Sequence, residues 1–322
     1  MTFTLGIEST AHTLGIGICN DGNIIANEYK TYSQPFGGMK PSDAADSHSV
    51  NFEEVLNSAL KKAGISLDQV GLVGYSKGPG MAPCLRISRT GAVMLSTIRK
   101  TPLIPVHHSV AHIEVGIHEC NFSDPLIIYV SGGNTQLLIK KNNRYTVLGE
   151  TLDVGLGNAI DMLAREINLE KAHGGEIERI AKEGKYIELP YTVKGMDFAF
   201  SGLVTRCAQL LPTTSPSDIA YSFQETAFAM LCEAAERALM LVKKNEVLLC
   251  GGVAQNSRLQ GMVRAMCEEN HVQFGVPSNQ YNRDNGAMIA YTAYYLHNKY
   301  GGNYPDKSYT INPKYRIEDA PC

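Results

Sequence analysis

The 322-residue sequence is narrowed first by what it lacks. No apolar run approaches the ~18 residues that cross a bilayer; Pro125-Leu-Ile-Ile-Tyr-Val130 is typical of the runs present. The opening MTFTLGIEST carries neither a basic patch nor an apolar core, so no secretory leader is expected. The eight cysteines include no CxxC pair. That argues against a disulfide frame or a thiolate zinc site, and for reduced thiols in a cytoplasmic protein. Positive charge is not in excess, with 29 basic against 32 acidic residues and a net charge of −3. Strong unaided binding to nucleic acid is thereby disfavoured, because such affinity comes mostly from neutralised phosphates. What remains, 44% apolar and 19% charged, is an ordinary globular composition with length for one large or two medium domains.

The pattern of elements runs through once and then repeats. Residues 3–9, 14–18 and 23–31 alternate or run apolar, with Asn20-Asp-Gly22 as a turn, and predict three short strands. Phe52, Val55, Leu56, Ala59, Leu60 and Ala63 mark one buried helix face. A strand at 70–76, a helix at 84–99, a strand at 102–106 and a helix from 107 follow. Strands near 126–130, 135–140 and 145–149 restart the series. Helices near 157–168 and 217–244, a strand at 246–250, a helix at 256–269, a strand at 271–276 and a helix from 284 complete it. Two βββαβαβα halves imply an α/β protein of two lobes, 1–124 and 125–300, each a mixed sheet flanked by helices. Residues 170–215, rich in Gly, Pro, Ser and Thr, read as an insertion in the second lobe, and 301–322 as an irregular tail.

Four segments carry chemistry. In Pro105-Val-His-His-Ser-Val-Ala-His112 a strand gives way to a helix, so His108 and His112 stand at i and i+4 on one face. That spacing lets two imidazoles hold one divalent metal, although helix histidines also commonly pack or face solvent. A zinc protease needs Glu beside the first His, and Ser109 occupies that place. In Tyr129-Val-Ser-Gly-Gly-Asn-Thr135, Gly132 and Gly133 leave backbone amides bare toward a phosphate or oxyanion. Ile7-Glu-Ser-Thr-Ala-His12 opens the first lobe with a similar loop; each alone reads as a hairpin turn, but together they would face each other across a cleft. Cys250-Gly-Gly-Val-Ala-Gln-Asn256 lets adenine or ribose approach bare backbone with Asn256 as anchor, or is a tight turn that Asn256 caps. Asn282-Arg-Asp-Asn-Gly-Ala287 makes Asp284 either a helix cap or the carboxylate of a two-His, one-carboxylate site.

Further polar groups are Asp161, after the Gly-rich turn at 155–157, and Glu178 in His173-Gly-Gly-Glu-Ile-Glu178. Both suit ribose or substrate hydroxyls, with surface exposure as the alternative. Lys77-Gly-Pro-Gly80, with Arg86 and Arg89, makes a rigid turn near positive charge that a solvated helix face explains equally well.

Taken in order, GIEST (6–10), GGMKPSDAADSH (37–48), KGPG (77–80), HSVAHIE (108–114), YVSGGNTQ (129–136) and DVGLGNAID (153–161) form one series. MDFAFSGL (196–203), SFQETAFAML (222–231), GGVAQN (251–256) and RDNGAMIAY (283–291) continue it. The series closely resembles the TsaD family of tRNA threonylcarbamoyltransferases, and most of all its archaeal and eukaryotic branch, the catalytic subunit of the KEOPS complex. The resemblance covers nearly the whole chain.

It implies the actin-like (ASKHA, ribonuclease H-like) duplicated fold with the active site in the inter-lobe cleft. The implied reaction moves threonylcarbamoyl from threonylcarbamoyl-adenylate to the adenosine 3′ of the anticodon in tRNAs that read codons beginning with A. The implied metal ligands are His108, His112 and Asp284, with Tyr129 as a conditional fourth, and the divalent ion is iron or zinc. The adenylate or an adenine nucleotide would meet Tyr129, Val130, Ser131, Gly132, Gly133, Asp161, Gly174, Glu178 and Asn256. The amides of Ser131, Gly132 and Gly133 would stabilise charge as the adenosine amine attacks the carbamoyl carbon and AMP leaves. No general base is named by the sequence. The implied partners are tRNA, a small atypical kinase that in some archaea is fused C-terminally, a small dimerising subunit and accessory subunits. Two departures stand out: His107 occupies a position that is usually Asn in the family, and HGGEIE is one residue short, which leaves open whether Gly174 or Gly175 meets the ligand.

Two rival readings fit the same fold. A small-molecule kinase or ATPase would use Glu8 to hold magnesium or activate a hydroxyl, but leaves the helical His pair unexplained, since magnesium prefers oxygen ligands. A nucleotide-binding scaffold for a kinase partner would need no chemistry at all.

Overall fold

A computed structural model describes residues 2–33, 40–169 and 174–321. Gly37, Gly38 and Met39 of the GGMKPSDAADSH segment, and also His173 and Cys322, lie outside the described residues. From the start come β1 (Phe3–Glu8), β2 (Thr13–Asn20), β3 (Asn23–Thr31), α1 (Pro41–Ala63), β4 (Val70–Gly78), α2 (Ala82–Arg99), β5 (Leu103–His107) and α3 (His108–Cys120). Next are β6 (Leu126–Val130), β7 (Thr135–Lys141), β8 (Arg144–Glu150), α4 (Leu156–Glu166) and α5 (Gly174–Ala181). A short hairpin, β9 (Val193–Lys194) and β10 (Asp197–Phe198), leads into α6 (Ser201–Leu210) and α7 (Pro216–Val242). β11 (Glu246–Cys250), α8 (Ser257–Glu269), β12 (Gln273–Gly275), α9 (Asn279–Asn282) and α10 (Gly286–Lys299) complete the series.

The chain divides into two compact units. The first comprises Met1–Val115, Asn142–Arg144 and Arg283–Cys322, and the second Gly116–Lys141 and Tyr145–Asn282. One sheet has the order β3-β2-β1-β4-β5, and the other β12-β11-β6-β7-β8. Read from β8, the second order repeats the first. In both, an antiparallel hairpin joins parallel strands: β1 pairs antiparallel to β2 and parallel to β4, β6 antiparallel to β7 and parallel to β11. The βββαβαβα series expected from periodicity therefore occurs twice in chain order, the second time with further short elements inserted.

In the first sheet, alternation decides which face meets what. Leu5, Ile7, Leu14, Ile16, Ile18 and Val73 point into a core completed by Val55 and Ala59 of α1 and Ala92 and Leu95 of α2. The intervening positions are glycines: Gly6 pairs with Gly17 on one side and with Gly74 on the other. This bare row receives α10 backbone to backbone. A methyl on Gly6 would lie 2.1 Å from the Ala290 nitrogen, and one on Gly17 2.2 Å from that of Ala287. Chain order alone places this last helix in the second lobe, whereas it packs on the first sheet, because only a side-chain-free surface lets a helix lie so close.

The second core is larger. Phe223, Ala227, Phe228 and Leu231 of α7 pack with Ile128 and Val130 of β6 and with Leu156, Ile160 and Leu163 of α4. The described part of the 170–215 stretch, from Gly174, belongs to this unit and contributes Ile177, Phe198, Phe200 and Leu203 to its core. Among the described residues the tail forms no strand, yet Tyr304, Ile317 and Ala320 are buried. No described helix is long and apolar enough to cross a membrane.

Candidate metal centre and phosphate loop

α3 begins at His108 because His107 caps it. His107 Nδ1 accepts from the amides of Ser109 (3.2 Å) and Val110 (3.4 Å), and its Nε2 donates to the Tyr315 carbonyl (3.1 Å). Burial pushes the His107 ring down to about 3, which keeps it neutral and leaves Nδ1 free to accept. The extra histidine is thus a helix cap. Its ring nitrogen does what an Asn side-chain oxygen does at such a position.

One turn on, the rings of His108 and His112 lie 4.8 Å apart at 85°. Asp284 Oδ1 is 3.4 Å from His108 Nε2 and 3.5 Å from His112 Nε2. One ligand atom from each of the three residues falls within 4.8 Å of the others. Metal bonds of ~2.0–2.1 Å at tetrahedral angles put ligand atoms about 3.4 Å apart, so the donor set fits a divalent cation. Asp284 does not cap α10; Asn285 does, accepting from the Met288 amide at 2.9 Å. Tyr129, the conditional fourth ligand, is a buried residue of the second unit.

The support of His108 comes from the GIEST loop. Its Nδ1 lies 3.1 Å from Glu8 Oε2 and 3.3 Å from Thr10 Oγ1. The other Glu8 oxygen accepts from the Thr10 amide at 2.6 Å, and Glu8 is fully buried. A carboxylate on Nδ1–H fixes the tautomer that turns the Nε2 lone pair toward Asp284. Burial opposes charge on His108, but Glu8 and Asp284 outweigh it and raise the ring to about 9. Burial likewise opposes charge on Asp284, and His108, His112 and His12 together hold its carboxyl well below the usual range. From the sequence Glu8 enters only in a rival reading, to hold magnesium or activate a hydroxyl, and its role beside His108 carries no spacing signal. With both oxygens so engaged, Glu8 is not placed to hold magnesium.

The second unit holds the remaining candidates. The Ser131-Gly-Gly-Asn134 loop sits on the first turn of α4, whose Gly157 and Asn158 amides donate to the Ser131 and Gly132 carbonyls at 3.1 and 3.0 Å. A methyl on Gly155 would fall 2.4 Å from the Gly132 oxygen, so glycine is required there. The Ser131 amide is spent on the Asn134 carbonyl (2.8 Å), which leaves Gly132 and Gly133 as the exposed amides of the expected three. Nothing lies within 4 Å of a methyl built on Gly133. Asn256 is an N-cap: its Oδ1 accepts from the Leu259 amide (3.0 Å) and its Nδ2 donates to Gln224 (2.7 Å). Glu178 of α5 accepts from the Ser257 amide at 3.0 Å, Asp161 stands half-buried on α4, and Gly174 opens α5. Val130 is fully buried in β6.

Fold and centre together define a duplicated α/β protein of actin-like fold with a candidate two-histidine, one-carboxylate cation site. Two solved structures show the same fold: HypF from T. kodakarensis (TM-score 0.65, 15% identity, 92% of this chain and 48% of that one) and component A of the Acidaminococcus fermentans (R)-2-hydroxyglutaryl-CoA dehydratase (TM-score 0.55, 16% identity, 92% and 98%). The family model described as "TsaD: tRNA N6-adenosine threonylcarbamoyltransferase" matches residues 23–291, and the chain belongs to that family. The transferase of that name from Archaeoglobus fulgidus is 47% identical over 319 residues, covering 98% of each chain. A relative from Thermoplasma acidophilum, named a probable bifunctional tRNA threonylcarbamoyladenosine biosynthesis protein, is 46% identical; the chain spans 60% of its length.

Proposed function

We propose that this chain transfers a threonylcarbamoyl group from threonylcarbamoyl-adenylate to the adenosine 3′ of the anticodon in tRNAs reading ANN codons. It does so in the cytoplasm as the catalytic subunit of a KEOPS-type complex. The observation that carries the reading is the His108/His112/Asp284 centre, braced by Glu8, in a chain of the TsaD family. Iron or zinc is the proposed ion, with Tyr129 as a conditional fourth ligand. A bound divalent ion supplies Lewis-acid polarisation of an adenylate oxygen.

The chain's own groups do the rest. Gly132 and Gly133 amides donate to the phosphate or the developing oxyanion, where fixed donors act without reorganising. Val130 and Ser131 shape that loop. Asp161 and Glu178 accept from hydroxyls of the ligand. Gly174 and the Asn256 turn give it backbone to lie against, Asn256 acting through the α8 cap it forms. The mild negative charge supports a division of labour in which partners, namely a small atypical kinase, a small dimerising subunit and accessory subunits, supply phosphate contacts to tRNA.

The test is transfer of labelled threonylcarbamoyl from its adenylate to tRNA by wild type and His108→Ala, with KEOPS-type partners added and omitted. Incorporation by wild type that His108→Ala abolishes is the expected result. No incorporation by metal-loaded wild type with partners present would overturn the reading.

A further inference from the structure

The tail after α10 has the composition of a loose end, yet its main chain is gripped at successive points. The Tyr304 hydroxyl donates to the Pro105 carbonyl (3.1 Å). Lys77 Nζ donates to the Ser308 carbonyl (3.0 Å) and pairs with Asp306 at 2.6 Å, with both side chains largely shielded. The Tyr75 hydroxyl donates to Thr310 O (3.3 Å), and Arg89 Nε donates to Tyr309 O. Backbone bonds run from Asn312 N to Lys77 O (2.8 Å) and from Gly80 N to Pro313 O (3.2 Å). His107 Nε2 then holds Tyr315 O.

These contacts lead to His108 by two routes. Through His107, the tail reaches the amides of Ser109 and Val110, in the turn between the two histidine ligands. Through the 77–80 turn it reaches Thr10, whose carbonyl accepts from the Met81 amide (2.8 Å) and whose hydroxyl lies against His108 Nδ1. A ligand held from both sides keeps its orientation only while both supports are seated, and outer supports of this kind are worth about 10- to 100-fold in metal affinity.

We propose that residues 303–321 form a supporting strap of the metal centre, and that His107 is the positioning residue through which the seated strap orients His108. The proposal rests on the metal reading above. Two variants of the full chain separate the parts. His107→Asn keeps an acceptor where Nδ1 stands, and so keeps the cap, but it falls short of the Tyr315 carbonyl. His107→Ala loses both.

The probes are Zn²⁺ and Co²⁺ alone, read by competition with a chromophoric chelator and by the visible spectrum of bound Co²⁺. Far-UV circular dichroism serves as a check on folding, and limited proteolysis scores tail release. The Asn variant should lose about tenfold in affinity, shift the cobalt bands and release its tail to protease, and the Ala variant should lose more. Metal should slow tail cleavage in wild type, because coupling between two sites is reciprocal. Unchanged affinity and spectrum in His107→Asn would overturn the strap even if His107→Ala is weak, since the cap alone would then suffice. If wild type binds neither ion, the metal reading itself fails; wild-type binding with unaffected variants sinks the strap alone.

Discussion

Replacing Glu8 by Gln tests the logic of the metal centre most directly. The side chain keeps its shape and an oxygen near His108 Nδ1, now 3.1 Å from Glu8, and loses only the charge. Two effects then oppose each other. Glu8 and Asp284 raise His108 to about 9 against the cost of burial, so at neutral pH a cation must displace a bound proton. A proton held about two pH units above ambient lowers apparent affinity about 100-fold. Removing the Glu8 charge relaxes that hold. The same carboxylate, however, makes the deprotonated ring a better ligand, and losing such a partner costs about 10- to 100-fold.

The variant should therefore bind Zn²⁺ or Co²⁺ about 10- to 100-fold more weakly than wild type near pH 9.5, with the gap nearly closed at pH 7. A chelator competition run from about pH 6 to 9.5 reads this directly. Wild-type affinity should rise about tenfold per pH unit and level near 9, and the variant should level at lower pH. Parallel curves for the two proteins, or a wild-type affinity indifferent to pH, would refute the reasoning. In the metal-free chain the sign for stability follows the same shift. His108 is raised from 6.5, so its ion pairing stabilises fully below about 6.5 and is lost as pH rises through about 9.

His107 works in the opposite sense. Its ring is lowered from 6.5 to about 3, so the stability it lends is present above about 6.5 and drains away as pH falls toward 3. Thermal unfolding should accordingly show wild type losing more stability than His107→Asn between about pH 6.5 and 4. At the phosphate loop, Gly155→Ala should cost roughly 1–3 kcal/mol by overpacking against the Gly132 oxygen, seen as a lower Tm. Gly133→Ala, with nothing within 4 Å of the new methyl, should leave Tm unchanged and still reduce transfer. Full activity in Gly133→Ala would remove that amide from the ligand site.

Much of the fold was legible because strands and helices bury one face at a time. Leu14, Ile16 and Ile18 gave β2 its period of two, and Phe52, Val55 and Ala59 gave α1 its period of 3.6. The place of α10 was not, because chain order assigns a helix to its sequence neighbours. The contrary signal was the alternating glycines at 15 and 17, with Gly6 and Gly74 beside them in the sheet. In the site, helical spacing paired His108 with His112, whereas Asp284 is remote in sequence, and its segment read equally as a helix cap or as the carboxylate of the site. The seating of the tail was not legible, because most of its bonds are made by main-chain carbonyls that every residue possesses, and the partners of Tyr304 and Asp306 are tertiary facts. Glu8 was visible as an acid in a loop, but which ring it would face is a tertiary fact.

The discontinuity of the first unit has a consequence for the order of synthesis. Two of the three candidate metal ligands, His108 and His112, are made with the first 115 residues, and Asp284 follows only after the second unit has been completed at Asn282. Until then a growing chain carries a histidine pair without its carboxylate and a glycine row without its helix. A product stalled or cut before Asp284 lacks the full donor set, however well its first strands have folded. Metal occupancy at this centre would therefore report a chain translated at least through Asp284.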